Sequence, residues 1–157
     1  MNHTVYTFRS TECRRWCGQV AILFLAGMFF LGADLPKHTT MPTTSIRLKV
    51  GEQVFTASLL ENASTTALLR MLPMTHNMEE LNGNEKFVYL SSDLPAAESA
   101  VGRIEAGDIM LYGRNCLVVF YASFTTSYRY TKLGRIDQPK GLAAALGTGK
   151  VLVRFDR

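Results

Sequence analysis

The chain has 157 residues and a formal net charge of +4, the length of about one domain with a mild charge excess. From Pro42 onward it carries 13 Lys/Arg against 11 Asp/Glu, interleaved in sign, so half of the excess lies at the N-terminus. That excludes the clustered basic patch a nucleic-acid groove needs. It has 3 cysteines, and Cys116 has no partner once Cys13 and Cys17 in the N-terminal segment are set aside, which rules out a disulfide framework. Three residues separate Cys13 from Cys17, one more than a redox pair has, and no second Cys or His pair follows to complete a zinc site.

Arg9, Arg14 and Arg15 precede an uncharged run that opens on Val20 and closes on Ala33. Basic then apolar is the order of a secretory signal, and the run falls short of the roughly 20 residues of a comfortable membrane crossing. Residues 1–33 are thus expected to be a signal peptide or N-terminal anchor, attaching the protein to the membrane through residues 20–33. Met28 stands where a lipoprotein's acylated cysteine would have to be, so acylation there is excluded. The alternative is a start at Met41, which would leave a cytoplasmic domain. Residues 34–44 contain Pro36 and Pro42 among several threonines and read as a linker.

Residues 45–157 form the expected domain. Ile46, Leu48 and Val50 alternate with charged residues, the period of a half-buried strand. Gly51-Glu52 turns the chain into a second alternating run, giving a hairpin. Asn62 or Ser64 can cap a helix over residues 65–72, which Pro73 stops. An extended stretch over 74–81, the turn Asn82-Gly83-Asn84 and a strand over 86–90 follow. Residues 91–107 read as a long loop. Strands over 108–112 and 116–121 make a second hairpin, and the near-continuous apolar run of the latter predicts burial on both faces. Residues 123–130 read as a loop or bulged strand. A strand at 133–136, an Ala-rich helix over 141–146 and a closing strand over 150–155 complete the chain. Short strands without β-α-β alternation argue for a closed barrel, which leaves no exposed edge and lets two helices cover its ends.

No motif names a reaction, a metal or a cofactor. His76 stands alone and reads as a strand-surface residue. Glu79 and Glu80 are adjacent on an extended segment and point to opposite faces. Ser91-Ser92-Asp93 lacks the glycine elbow of a hydrolase. Gly147-Thr148-Gly149-Lys150 precedes a strand, where a phosphate loop must open a helix, and so reads as a turn. One cluster stands out: Tyr112, Arg114, Asn115, Tyr121, Tyr128, Tyr130 and Arg135. Tyrosine and arginine offer flat area with hydrogen-bonding tips and grip peptides and small molecules, although the same residues also serve packing alone.

The order of elements resembles the cyclophilin barrel, above all in its ending: Leu133-Gly134-Arg135-Ile136, a short helix, and a last strand. The chain is similar to the bacterial cyclophilin-like proteins of uncharacterised role around Asn84-Glu85-Lys86, residues 107–112, 115–121 and 127–136. The resemblance covers the whole domain and implies a mainly β, closed eight-stranded barrel with two short capping helices. Prolyl-isomerising cyclophilins use an arginine after a Phe-His pair; the nearest stretch here, Phe87-Val88-Tyr89, places Tyr89 at that position. Their Gln-Gly-Gly-Asp stretch and downstream tryptophan are missing too. The resemblance therefore implies a binding module for a peptide or small molecule, its groove lined by Tyr89, Tyr112, Phe120, Tyr121 and Tyr128. Arg114 or Arg135 would engage a polar group of the ligand. A weak peptidyl-prolyl isomerase is the alternative.

Overall fold

The computed structural model describes residues 44–157. The expected export segment, the linker up to residue 43 and the alternative start at Met41 lie outside the described residues; Thr44, assigned to the linker, opens the first strand. Strand β1 (Thr44–Val50) and β2 (Gln53–Leu59) form the predicted hairpin, turning at Gly51 with φ of 57°. Ile46, Leu48 and Phe55 point to one side and are buried, as their period of two requires.

Helix α1 (Ala63–Arg70) starts at Asn62, whose Oδ1 accepts from the Thr65 backbone N–H at 2.9 Å while the Asn62 N–H donates to Thr65 Oγ1 at 3.1 Å. This reciprocal cap satisfies two of the donors that a helix start leaves open. Strands β3 (Met74–Leu81) and β4 (Glu85–Tyr89) form the next hairpin. The segment read as a long loop is mostly irregular but carries the two-residue strands β5 (Ser99–Ala100) and β6 (Arg103–Ile104). Strands β7 (Asp108–Tyr112) and β8 (Cys116–Phe120) pair as the second hairpin. Then come β9 (Phe124–Thr125), β10 (Arg129–Ile136), helix α2 (Leu142–Leu146) and β11 (Val151–Asp156).

The strands run in the order β2-β1-β11-β3-β4-β8-β7-β10, and β10 returns to β2. This is the expected closed, eight-stranded antiparallel barrel. Closure occurs at Gly134, which is in register with Leu59 on β2 and with Ile109 on β7, beside a bulge between Lys132 and Gly134. Only a residue without a side chain fits there. A Cβ at this position would run into the Ser58 carbonyl and lie 2.9 Å from Leu59 Cα, both backbone. A bulge at a glycine is the usual device for bending a strand round a barrel corner.

The barrel interior is filled. Ile46, Leu48, Met78, Leu117, Val153 and Phe155 are each at most 1% exposed, and both helices join this core through Leu68, Leu142 and Leu146. His76 corrects its expected surface placement. It shares the barrel-facing side of β3 with Met74 and Met78, is in register with the buried Val153, and its Nε2 is buried without a hydrogen-bond partner.

A second, smaller core lies outside the barrel. All five residues of β8 are buried, so its alternate side chains Cys116, Val118 and Phe120 need cover on the outer face. They pack with Ile104, Met110 and Tyr130, flanked by Phe87, Val101 and Phe124. The cover is the irregular chain around β5, β6 and β9. It is pinned by Ala97 N–H donating to Thr131 Oγ1 (2.8 Å), Gly113 N–H to Glu98 Oε1 (2.9 Å) and Thr126 N–H to the Gly102 carbonyl (2.9 Å).

Because Gly134 is where the sheet closes, Gly134→Ala should destabilise the domain by about 1–3 kcal/mol, the usual cost of overpacking. Gly149→Ala, where an added Cβ meets nothing within 4 Å, should stay within about 0.5 kcal/mol of the parent. Urea unfolding midpoints of the two variants provide the measurement.

Candidate functional site

The outer face of β4, β8 and β7 is incompletely covered, and the gap is a cleft of about 470 Å³. Alternation along β4 turns Glu85, Phe87 and Tyr89 to this side, and β8 supplies Cys116 and Val118 beneath them. Tyr112 from the end of β7, Tyr130 from β10, and Phe124, Thr126 and Tyr128 from the cover form the walls; Leu81, Asn82 and Asn84 bound the remaining side. The rings brace one another. Phe87 and Tyr89 stand at 80° with centroids 5.9 Å apart, and Tyr112 meets Tyr128 at 85° and 6.1 Å. Edge-to-face contacts of this kind contribute about 0.5–1.5 kcal/mol beyond area burial. Tyr89, Tyr112 and Tyr128 remain 65%, 46% and 62% exposed, an area of ring surface with no protein partner.

The residues expected to act together are divided. Tyr89, Tyr112 and Tyr128 meet at the cleft. Phe120 lies beneath it, fully buried against Phe124 and Tyr130. Tyr121 follows Phe120 and therefore turns to the barrel side, where its hydroxyl donates to Glu80 Oε1 at 2.6 Å. Arg114 sits in the β7–β8 turn with its Nε 2.9 Å from Asp93 Oδ2. Arg135 lies beyond the bulge of β10, near Asp108 and the Ala106 carbonyl. Neither arginine is among the residues that line the cleft, so the structure does not bring the arginine expected to engage the ligand together with these tyrosines: Arg114, within the turn, is paired with Asp93, and Arg135 is directed toward Asp108. Among the described residues lining the cleft there is no Lys, Arg or His.

Glu85, Asn84 and Phe87, quoted above only for the resemblance and not as ligand-binding candidates, also line the cleft. The signal was present in the period of two through Glu85, Phe87 and Tyr89, which puts a carboxyl on the same face as two rings. Glu85 is 7% exposed and makes no ion pair with another described residue. Its neighbour Lys86 points the other way, fully buried, and donates at 2.5 Å both to Glu80 Oε2 and to the Gly149 carbonyl. Burial, followed by repulsion from Glu80, pushes the Glu85 carboxyl up to about 7. Burial also raises the Cys116 thiol, to about 11 with help from Glu85, so it is a protonated part of the floor and not a nucleophile. Asn84 carries a buried Oδ1 without a partner, while its backbone carbonyl accepts from Tyr121 N–H at 3.0 Å.

The raised Glu85 sets the sign of a pH effect. The folded state holds this proton more tightly than the unfolded chain does, so stability falls as pH rises from about 4.5 to about 7. Above that window the ionised carboxyl costs the fold on the order of 3 kcal/mol. Glu85→Gln should therefore unfold at a higher temperature than the parent at about pH 8 and at the same temperature near pH 4.5. Thermal unfolding across that range checks the prediction, and a constant difference at every pH would contradict it.

Residues 48–156 match the profile of the Cyclophilin-like family. No curated protein matches the chain. Among solved structures it is similar to the solution structure of the hypothetical protein AF2241 from Archaeoglobus fulgidus, at 14% identity and a TM-score of 0.49, covering 73% of this chain and 95% of that one. The matched span takes in all but the first few residues of the barrel described above, from β1 to β11, and so the chain belongs to the cyclophilin-like family.

Proposed function

We propose that the domain is a non-enzymatic binding module that takes a small molecule or short peptide into the cleft on the outer face of its barrel. The observation that carries this reading is the composition of the cleft: exposed tyrosine rings around a partly apolar floor, with no cationic side chain among the described lining residues. Rings with polar tips give contact area at low entropic cost. The interior of the barrel offers no competing site, since its core side chains fill it.

The same composition weighs against prolyl isomerisation. Rotating an amide faces a barrier of about 18–20 kcal/mol, and a catalyst must bind the twisted state better than the planar one. A guanidinium that donates to the twisting amide would do this. Here Tyr89 stands at the cleft mouth instead, and Arg114 is held by Asp93.

A thermal-shift screen of small molecules and short peptides tests the proposal. A ligand at about 100 times its Kd should add about 2.7 kcal/mol of stability, and Tyr112→Ala and Tyr128→Ala should each abolish that shift. In a protease-coupled assay on a prolyl tetrapeptide the domain should give no rate above background; turnover that disappears in Tyr112→Ala would overturn the proposal in favour of an isomerase.

The basic-then-apolar order of residues 9–33 supports placing this module in the cell envelope. N-terminal sequencing of the native protein after cell fractionation should find it with the membrane or exported fraction. A soluble cytoplasmic form beginning at Met41 would overturn that placement.

A further inference from the structure

We propose that the ligand of this cleft is an organic cation bearing N–H groups, a primary ammonium or a guanidinium, with Glu85 as its counter-charge. The inference rests on the cleft being a binding site and names the chemical class that it takes.

Charge complementarity carries the argument. Of the described residues that line the cleft, Glu85 is the one carboxylate, and no Lys, Arg or His accompanies it. The nearest basic residue in sequence is Lys86, on the opposite face of β4 and already committed to Glu80 and the Gly149 carbonyl. A nearly buried carboxyl without a cation is costly to ionise, and a cation supplied from outside removes that cost. The walls suit the same guest. Phe87 against Tyr89 and Tyr112 against Tyr128 present rings at close to right angles. Ring faces carry the negative end of the aromatic quadrupole and attract a cation within about 6 Å. A carboxylate accepts hydrogen bonds, so a guest with N–H groups can both pair with Glu85 and donate to it, which a quaternary ammonium cannot. The guanidinium of a free amine-like metabolite and that of an arginine side chain share this chemistry.

The ionisable groups that feel the charge of Glu85 define when it can act. They are Glu80 from β3 and Tyr121 just beyond β8, both on the barrel side, and Cys116 from β8 and Tyr130 from β10, both lining the cleft. Burial raises Glu80, but hydrogen bonds from Lys86 and Tyr121 outweigh it and hold this carboxyl below its usual range. Cys116 is raised to about 11 and the two tyrosines to about 12, all first by burial. Between about pH 5 and pH 8.5 Glu85 is therefore the member of this set that changes charge. A guanidinium keeps its charge throughout.

Calorimetric titration of the full-length protein with butylguanidinium, its neutral isostere butylurea, and an end-blocked arginine tripeptide tests the proposal. At about pH 8.5 butylguanidinium should bind at least on the order of tenfold more tightly than butylurea, the scale of one charged hydrogen bond. The preference should shrink toward pH 5 and disappear in Glu85→Gln, whose thermal midpoint at pH 8.5 shows that it is folded. Tighter binding of the tripeptide assigns the cation to a peptide side chain; tighter binding of butylguanidinium assigns it to a small molecule. Equal affinity for butylguanidinium and butylurea, or full affinity in Glu85→Gln, overturns the charge assignment. If a neutral ligand then still binds in a way that Tyr112→Ala abolishes, the cleft stands as a site and the cation alone falls. If no probe, charged or neutral, binds at all, both fall.

Discussion

Strand β8 has to be buried on both faces, and most of what distinguishes this domain follows from that. Its inward side chains, Leu117 and Val119, belong to the barrel, while Cys116, Val118 and Phe120 would face water if the barrel were all there was. Fully burying an apolar side chain contributes about 1.5–3 kcal/mol, and the chain laid over the outer face supplies that burial together with apolar side chains of its own, Val101, Ile104 and Phe124. The cover that does so, around β5, β6 and β9, is irregular and held by a few side-chain hydrogen bonds, not by a continuous ladder. It stops short of the tyrosine-rich end of the wall, and the uncovered remainder is the cleft. The candidate site is thus the edge of a second core.

Two consecutive residues of β4 show how the pleat separates structure from function. Lys86 points into the end of the barrel, where Glu80, the Gly149 carbonyl and the ring of Tyr121, 5.8 Å away, satisfy its charge. Buried ion pairs are tolerated when each partner is hydrogen-bonded as these are. Glu85 points to the cleft and has no such arrangement, so it is held near the middle of the accessible pH range. One residue of displacement along a strand moves a charge from a satisfied network to an unsatisfied pocket. Unsatisfied charge that a fold retains beside open ring surface is a mark of a site.

The barrel was legible in the sequence wherever period and turn chemistry agreed. Alternation in Ile46-Arg47-Leu48-Lys49-Val50, the glycine turn after it, and Asn62 before a helical stretch each carry a local physical reason. The unbroken apolar run of β8 likewise foretold two-sided burial. The candidate site was legible only in part. Composition drew attention to tyrosines and arginines near one another in the chain, and three of the tyrosines do meet. Proximity along a chain does not set the face, however. Phe120 and Tyr121 are consecutive and therefore point apart, while the β7–β8 turn and the β10 bulge carry Arg114 and Arg135 elsewhere. For Glu85 the period of two shows only that it shares a face with Phe87 and Tyr89; its significance lies in what surrounds it. The cover has no period to read, and only tertiary contacts place it over the wall.

Closure also decides where function can reside. Eight strands leave an interior just wide enough for side chains to fill, and here Met78, Leu117, Val153 and Phe155 fill it. Gly134 fixes that number of strands by letting β10 meet β2 and β7 at one residue. A ligand therefore has no lumen to enter and must use the outside of the wall. There, the shape and charge of a site are set by whichever outward residues the cover leaves open. Those residues, Glu85, Phe87, Tyr89 and Tyr112 among them, add little to the barrel core and are free to vary without unmaking it. A family built on this barrel can accordingly keep its fold while losing one chemistry and acquiring another, and membership fixes the architecture while the cleft's own residues must supply the argument for function.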